Sequence, residues 1–370
     1  LDPSFGIAYE NLADVDDDWP GNPDGTDFAK ETIGKGWKLF GATGVRLGAH
    51  GIIEQMPEDA LNERIVGFFY YNGYFVNPDK RLAADWYRKA AEQGNLVAEY
   101  EFGLSLEDGD TDIPKGDPRA SEEAAKWYRK AAEQSSPDAE VALGNMYRDG
   151  NGVDQDAEAA VQWYLKSAEQ DDTDGQVSLG DMYLGGQGVG YDPREALNWY
   201  SQAADLGNPA AETAIGDFYR NGRGVPRNFS LARKWYLKAA ASENADAHYN
   251  LGLMSDLGQG TRRNREDALL QYQDAARAYA YDADGGDGHA EARLGTMAAT
   301  GQGVSQSEVV AYVWYARAYY DLKPGPERDR VLQMMSVLKL KAVAWLAEPR
   351  LVNGLIQSAI ALQQMVVQPP

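Results

Sequence analysis

The stretch AEVALGNMYRDGNGVDQDAEAAVQWYLKSAEQ, residues 139–170, decides the fold. Its first part, Ala139 to Tyr147, reads Ala-x-x-x-Leu-Gly-x-Met-Tyr, with apolar residues three and four apart on one helix face. Gly144 sits in the middle of that helix, where glycine costs about 1 kcal/mol against alanine. The cost predicts a neighbouring helix packed against the missing side chain. A Gly150-Asn151-Gly152-Val153 turn follows, and glycine there supplies the positive φ that ends a helix and reverses the chain. A second helix then opens on acidic residues and closes on Trp163-Tyr164 and Lys166, a charge order that complements the helix dipole.

This two-helix unit recurs. Trp appears at 86, 127, 163, 199, 235 and 314, and the steps from 127 to 235 are each 36 residues. Each is followed by Tyr, as in Ala124 to Ala132 and Ala232 to Ala240. A second marker runs through Phe102-Gly103, Leu143-Gly144, Leu179-Gly180, Ile215-Gly216, Leu251-Gly252 and Leu294-Gly295. Between Gly144 and Gly252 it keeps the same 36-residue step. Gly-x-Gly-Val returns at 186–189, 222–225 and 301–304, and links such as Gly207-Asn208-Pro209 join the units. Two markers on one clock specify a repeat protein, in which each unit buries its apolar face against its neighbours.

The Leu143-Gly-Asn-Met-Tyr147 helix, the Gly-x-Gly-Val turns and Trp127-Tyr-Arg-Lys-Ala-Ala132 resemble the Sel1-like repeat family, a relative of the tetratricopeptide repeat. The resemblance implies an all-α fold, an α-α superhelical solenoid of about seven helix-turn-helix repeats. It also implies a concave surface that binds proteins, as in adaptors for assembly, secretion, quality control or signalling.

The expected division is an N-terminal extended segment and capping helix over 1–57, the repeat solenoid over 58–321, and C-terminal capping helices over 322–370. Within the first part, 1–26 reads as extended, and Phe28 to Leu47 as a helix that places Trp37 and Phe40 on the first repeat. At the other end, Glu327 to Leu346 and Arg350 to Val367 read as two helices, either caps or a docking element. Three units depart from the pattern. Ile65 to Tyr71 replaces the Leu-Gly motif in the first, and Asp108 to Pro118 replaces the glycine turn in the second. In the sixth, Gln271-Tyr272 replaces Trp-Tyr, and an insertion around Ala278 to Asp287 reads as a surface loop.

Composition narrows the partners. With 35 basic and 57 acidic residues the chain carries −22, the opposite of what a nucleic-acid or anionic-membrane surface needs. Basic protein segments, cations and neutral glycans stay open. Cysteine is absent, which excludes disulfides and thiolate chemistry. No apolar run reaches the roughly 18 residues of a membrane span. The chain starts at Leu1 rather than Met, which reads as removal of an upstream leader or tag and points towards export, periplasmic or secreted.

Candidate chemistry is sparse. His50, His248 and His289 show no metal spacing, and no phosphate loop, dinucleotide fingerprint or nucleophile elbow occurs. The acidic runs Asp14, Asp16, Asp17, Asp18 and Asp282, Asp284, Asp287 fail the calcium-loop pattern: counting from Asp14 the sixth position is Trp19, and from Asp282 the twelfth is Arg293. No catalytic residue, metal site or cofactor is predicted, so the chain reads as non-enzymatic. Since related solenoids line their groove with the first helix of each pair, the candidate partner-binding residues are Asn145, Tyr147, Arg148, Asp181, Tyr183, Asp217, Tyr219 and Arg220. The expected function is a scaffold or adaptor for a partner protein or peptide, in an exported bacterial assembly or, on the same family grounds, a eukaryotic degradation or cell-wall pathway. The alternative is a glycan-binding, calcium-binding or enzymatic protein whose activity lies in the non-repeat ends or the acidic insertion.

Overall fold

The computed structural model describes residues 59–73, 76–322 and 325–342, with side chains to residue 338. Among them are fifteen helices and no strand, an all-α solenoid. Seven pairs run in order: α1 Ala60–Asn72 and α2 Lys80–Glu92; α3 Leu96–Asp108 and α4 Pro118–Glu133; α5 Pro137–Asp149 and α6 Ala157–Ala168; α7 Thr173–Gly185 and α8 Pro193–Asp205; α9 Pro209–Asn221 and α10 Phe229–Ala240; α11 Ala245–Leu257 and α12 Arg265–Asp284; α13 Gly288–Thr300 and α14 Glu308–Asp321. A terminal helix, α15, spans Pro326–Ala342. The helices form two compact units that divide after Tyr191, between α7 and α8.

Each helix has a local reason to begin. An Asp, Asn or Ser N-cap opens every helix from α1 to α14; Asp156, for example, accepts from the Ala159 amide at 3.0 Å and Asn208 from the Ala211 amide at 3.0 Å. Such a cap contributes about 1 kcal/mol. First helices end on a left-handed glycine, as at Gly150, with φ 69°. The second glycine of the turn is required twice over. Gly152 has φ 70°, and a Cβ there would run into the Ser121 carbonyl of α4.

Packing within a unit follows sequence order, each helix against the next. In the first unit the mid-helix glycine admits a tyrosine ring: a Cβ on Gly144 would lie 2.6 Å from Tyr164 Cε1. In the second unit Gly216 and Gly295 receive Tyr236 and Tyr315 in the same manner. Those tyrosines are fully buried, and burial of each side chain contributes about 2–3 kcal/mol.

The tryptophans beside them behave differently. The sequence places Trp and Tyr together between the layers, but Trp86, Trp163, Trp199 and Trp235 are only half-buried. Their position one residue earlier turns the indole outward, and the lysine three residues on covers the ring at Trp86, Trp163 and Trp235, as it does at the more deeply buried Trp127. Lys130 Nζ stands 3.6 Å from the Trp127 ring centre and Lys166 Nζ 3.6 Å from that of Trp163. Each such cation–π contact is worth about 0.5–1 kcal/mol at the surface.

The insertion in the sixth repeat is helix, not loop. It lengthens α12 to 20 residues, because Tyr272, Ala275, Ala276, Tyr279, Ala280 and Ala283 continue one buried face. The departure in the second repeat is a true loop between α3 and α4, opened by Gly109 at φ 76°. Beyond the last repeat, Val331 and Leu338 of α15 pack against Ala298, Ala311, Tyr315 and Ala318. The expected helices at 28–47 and 350–367, the acidic run at 14–18 and His50 lie outside the described residues.

Candidate partner-binding surface

In the first unit, α3, α5 and α7 bring their variable positions to successive places along a row of first helices, with α5 touching α7 directly. Directly after the repeat glycine stand Leu104, Asn145 and Asp181. Leu104 and Asp181 are exposed. Asn145 is half-buried, and its Oδ1 accepts the Tyr164 hydroxyl at 2.8 Å. Tyr147 and Tyr183 are both half-buried. The Tyr147 hydroxyl takes a hydrogen bond from Arg129 Nη2 at 2.9 Å, and its ring packs on the core. Arg148 Nε donates to Asp149 at 2.8 Å.

The same row carries residues that the sequence reading passed over. Tyr100 lies three positions before its glycine, in α3, and its half-buried ring meets Tyr128 with centroids 5.6 Å apart. Burial, then the charges of Asp138, Asp174, Glu107 and Asp172, push the Tyr100 hydroxyl up. Burial, then Asp172 and Asp174, also push the Asp138 carboxyl up. Charges from three consecutive repeats thus act on one tyrosine hydroxyl. The available signal was positional: Asp138 and Asp174 are 36 residues apart, at a register place filled in other repeats by Val97, Ala210, Asp246 and His289.

In the second unit, the predicted residues are drawn into packing. Asp217 is half-buried and accepts the Tyr236 hydroxyl at 2.7 Å. Burial pushes its carboxyl up, while the Tyr236 hydrogen bond pulls the other way. Arg220 donates to Asn250 at 2.8 Å and to Gln259 at 3.3 Å, spanning from α9 to the next repeat. Tyr219 is half-buried and packs on the core around Tyr236 and Leu251. In both units, then, the position after the repeat glycine anchors a buried tyrosine hydroxyl when it is Asn145, Asp217 or Thr296, the last 3.0 Å from the Tyr315 hydroxyl.

A second periodic feature went unread. Four residues before the repeat glycine stands a buried acid: Glu63, Glu99, Glu140, Glu212 and Glu291. Each meets the end of its own repeat's second helix. Glu99 accepts from Gln134 at 2.7 Å and Glu140 from Gln170 at 2.8 Å. Glu212 pairs with Lys238 at 2.8 Å and Glu291 with Arg317 at 2.7 Å. Burial pushes Glu140 and Glu291 up to about 7, against the opposing pull of Lys166 and Arg317.

His248 faces Gln271 and His289 faces Glu327, so the two histidines serve different contacts. Among the described residues no group of three or more His, Asp or Glu is placed to hold a metal ion, the Asp282, Asp284 and Asp287 cluster included. No described helix is long and apolar enough to cross a membrane.

Seven consecutive stretches match the Sel1 repeat family model: 64–95, 97–136, 137–172, 173–208, 209–244, 245–280 and 288–320. A solved Sel1 repeat protein from Oxalobacter formigenes is 31% identical, with a TM-score of 0.58, covering 66% of this chain and 96% of its own. A protective antigen present in uropathogenic Escherichia coli strains, which displays an SLR fold, is 28% identical with a TM-score of 0.51, covering 77% of this chain and 69% of its own. No curated protein matches the chain. The matched stretches follow the helix pairs, glycine sockets and turns described above, and the chain belongs to the Sel1 repeat family.

Proposed function

We propose that this chain is a non-enzymatic scaffold that holds a partner protein on the first-helix row of its first unit, and that the partner contributes a basic segment. Sel1 repeat proteins are in general protein-interaction scaffolds. The observation that supports the surface is the half-buried Tyr100, whose hydroxyl is pushed up by burial and then by the charges of Asp138, Asp174, Glu107 and Asp172. An aromatic ring in such an acidic neighbourhood suits a lysine or arginine side chain, through the ring quadrupole and direct ion pairing. The carboxylates also raise the association rate of a cationic partner. Of the residues picked from sequence, Asp181, Tyr183 and Arg148 belong to this reading as neighbours on the row, whereas Asn145, Asp217 and Arg220 serve the packing. Helices at the two chain ends are read as caps.

A fluorescent peptide of alternating Lys, Arg and Leu tests the surface by anisotropy. Substituting Asp138→Asn, Asp174→Asn and Asp181→Asn together should weaken binding about tenfold at low salt, a loss that shrinks as salt is added. The control, Glu122→Gln, Glu133→Gln and Glu158→Gln, removes the same charge from the second helices of the same unit. Equal loss in both triples would reduce the effect to net charge and contradict the assigned surface.

A further inference from the structure

An imidazole joins the first turn of the terminal helix to the last repeat. His289, in the first turn of α13, has its Nδ1 2.6 Å from Glu327 Oε1 of α15 and its Nε2 3.9 Å from Asp246 Oδ2 of α11. Two carboxylates therefore face the two ring nitrogens from opposite helices. A neutral imidazole carries one N–H and one lone pair, so it donates to one carboxylate and turns its lone pair on the other. The imidazolium donates to both.

The surroundings weight that choice. From α11, Asp246 also accepts the Tyr279 hydroxyl of α12 at 2.5 Å and pairs with Arg293 of α13 at 3.2 Å. From α12, Asp282 sits close to Asp246 and Asp287; burial, then those two charges, push its carboxyl up. On α13 itself, Asp287 accepts the His289 amide at 2.8 Å. From α14, Arg317 pairs with Glu291 of α13 at 2.7 Å and donates to the Ala283 carbonyl at 3.2 Å, and from α15 comes Glu327. Arg328 of α15 stands over the Tyr319 ring at 4.2 Å. Glu327 and Asp246 thus flank the imidazole, Asp246 being shared with Arg293, and a positive charge on His289 strengthens both of its contacts.

We propose that His289 is a proton-operated latch on the terminal helix: charging the imidazole clamps the first turn of α15 to α11 and α13 through Glu327 and Asp246, and discharging it releases that turn. Histidine is the side-chain type that ordinarily changes charge between pH 5 and 8. Its release would loosen the cover that Val331 and Leu338 place over Ala298, Ala311, Tyr315 and Ala318 of the last repeat. The inference is independent of the partner surface in the first unit.

Amide hydrogen exchange of the full chain, corrected for intrinsic pH dependence, tests it. In the wild type, protection of amides 327–335 should rise about threefold or more from pH 8 to pH 5.5, the range expected of a partly exposed ion pair. His289→Gln and Glu327→Gln should flatten that profile while leaving protection in α9 and α10 unchanged. His289→Lys, which stays charged, should hold α15 at its low-pH protection even at pH 8. A wild-type profile that is flat, or one that His289→Gln leaves intact, would overturn the latch, as would His289→Lys behaving like His289→Gln.

Discussion

Gly144 illustrates what single residues decide in this chain. A Cβ there would sit 2.6 Å from the buried Tyr164 ring, in a layer where neither helix can shift without moving its neighbour. Gly144→Ala should therefore destabilise by about 2–3 kcal/mol despite the better helix propensity of alanine, read as a fall in thermal midpoint. The opposite exchange holds at the links. Ser135, Asp171 and Glu243 occupy the left-handed region at φ 66°, 61° and 55°, where other links have Gly94, Gly207 and Gly286. Replacing Glu243 by Gly should stabilise by about 0.5–1 kcal/mol, since a left-handed residue with a Cβ costs about 1–2 kcal/mol and glycine returns part of that in chain entropy. An unchanged or lower denaturant midpoint would contradict this. The glycine sockets were legible in sequence because glycine inside a helix is costly and needs a reason. The buried glutamates were not: a glutamate on a helix reads as solvent-facing until the glutamine or lysine that satisfies it is placed opposite.

At the scale of elements, those glutamates tie the two helices of a repeat together and make the pair sensitive to pH. The folded pKa of Glu140 and of Glu291 is raised to about 7 from an ordinary 4.5, burial being the main cause. Glu101, pushed up to about 7 by burial against the pull of Arg64, acts in the same direction. A raised folded pKa means the unfolded chain releases the proton first, so the contribution is full below about pH 4.5 and is lost as pH rises through about 7. Thermal midpoint should fall between pH 5 and pH 8, and Glu140→Gln should flatten part of that slope. The depressed carboxyl of Asp117, at about 2 through its hydrogen bonds from Arg119, acts only at much lower pH and leaves the sign intact. Element boundaries were readable wherever caps and glycine turns coincide. The insertion in the sixth repeat reads as a loop because Asp282, Asp284, Gly285 and Gly286 punctuate its end, while the alanines and tyrosines that extend α12 keep no tryptophan marker.

Across the molecule, regularity and variation separate structure from function. Buried tyrosines, sockets, caps and acid ties recur from repeat to repeat, and together they build the solenoid. Tyr100, Asp138 and Asp174 fall at places in the register where residue type changes from repeat to repeat, and the proposed docking surface is built on them. That distinction explains why half of the sequence-derived surface dissolved into packing. Where the position after the repeat glycine is Asn145, Asp217 or Thr296 it holds a tyrosine hydroxyl, and only the hydrogen bonds reveal that task. A net charge of −22 spread over the chain gives long-range attraction for a basic partner, and the proposed docking place is the acidic neighbourhood of Tyr100. The most direct test is site-specific photo-crosslinking of the full chain in its host cells. A benzophenone residue at Leu104 on α3 is compared with one at Glu158 on α6. The account predicts a discrete adduct from Leu104, absent from Glu158, and lost with Asp138→Asn and Asp174→Asn. An adduct from Glu158 and none from Leu104, or one that survives both substitutions, would contradict it.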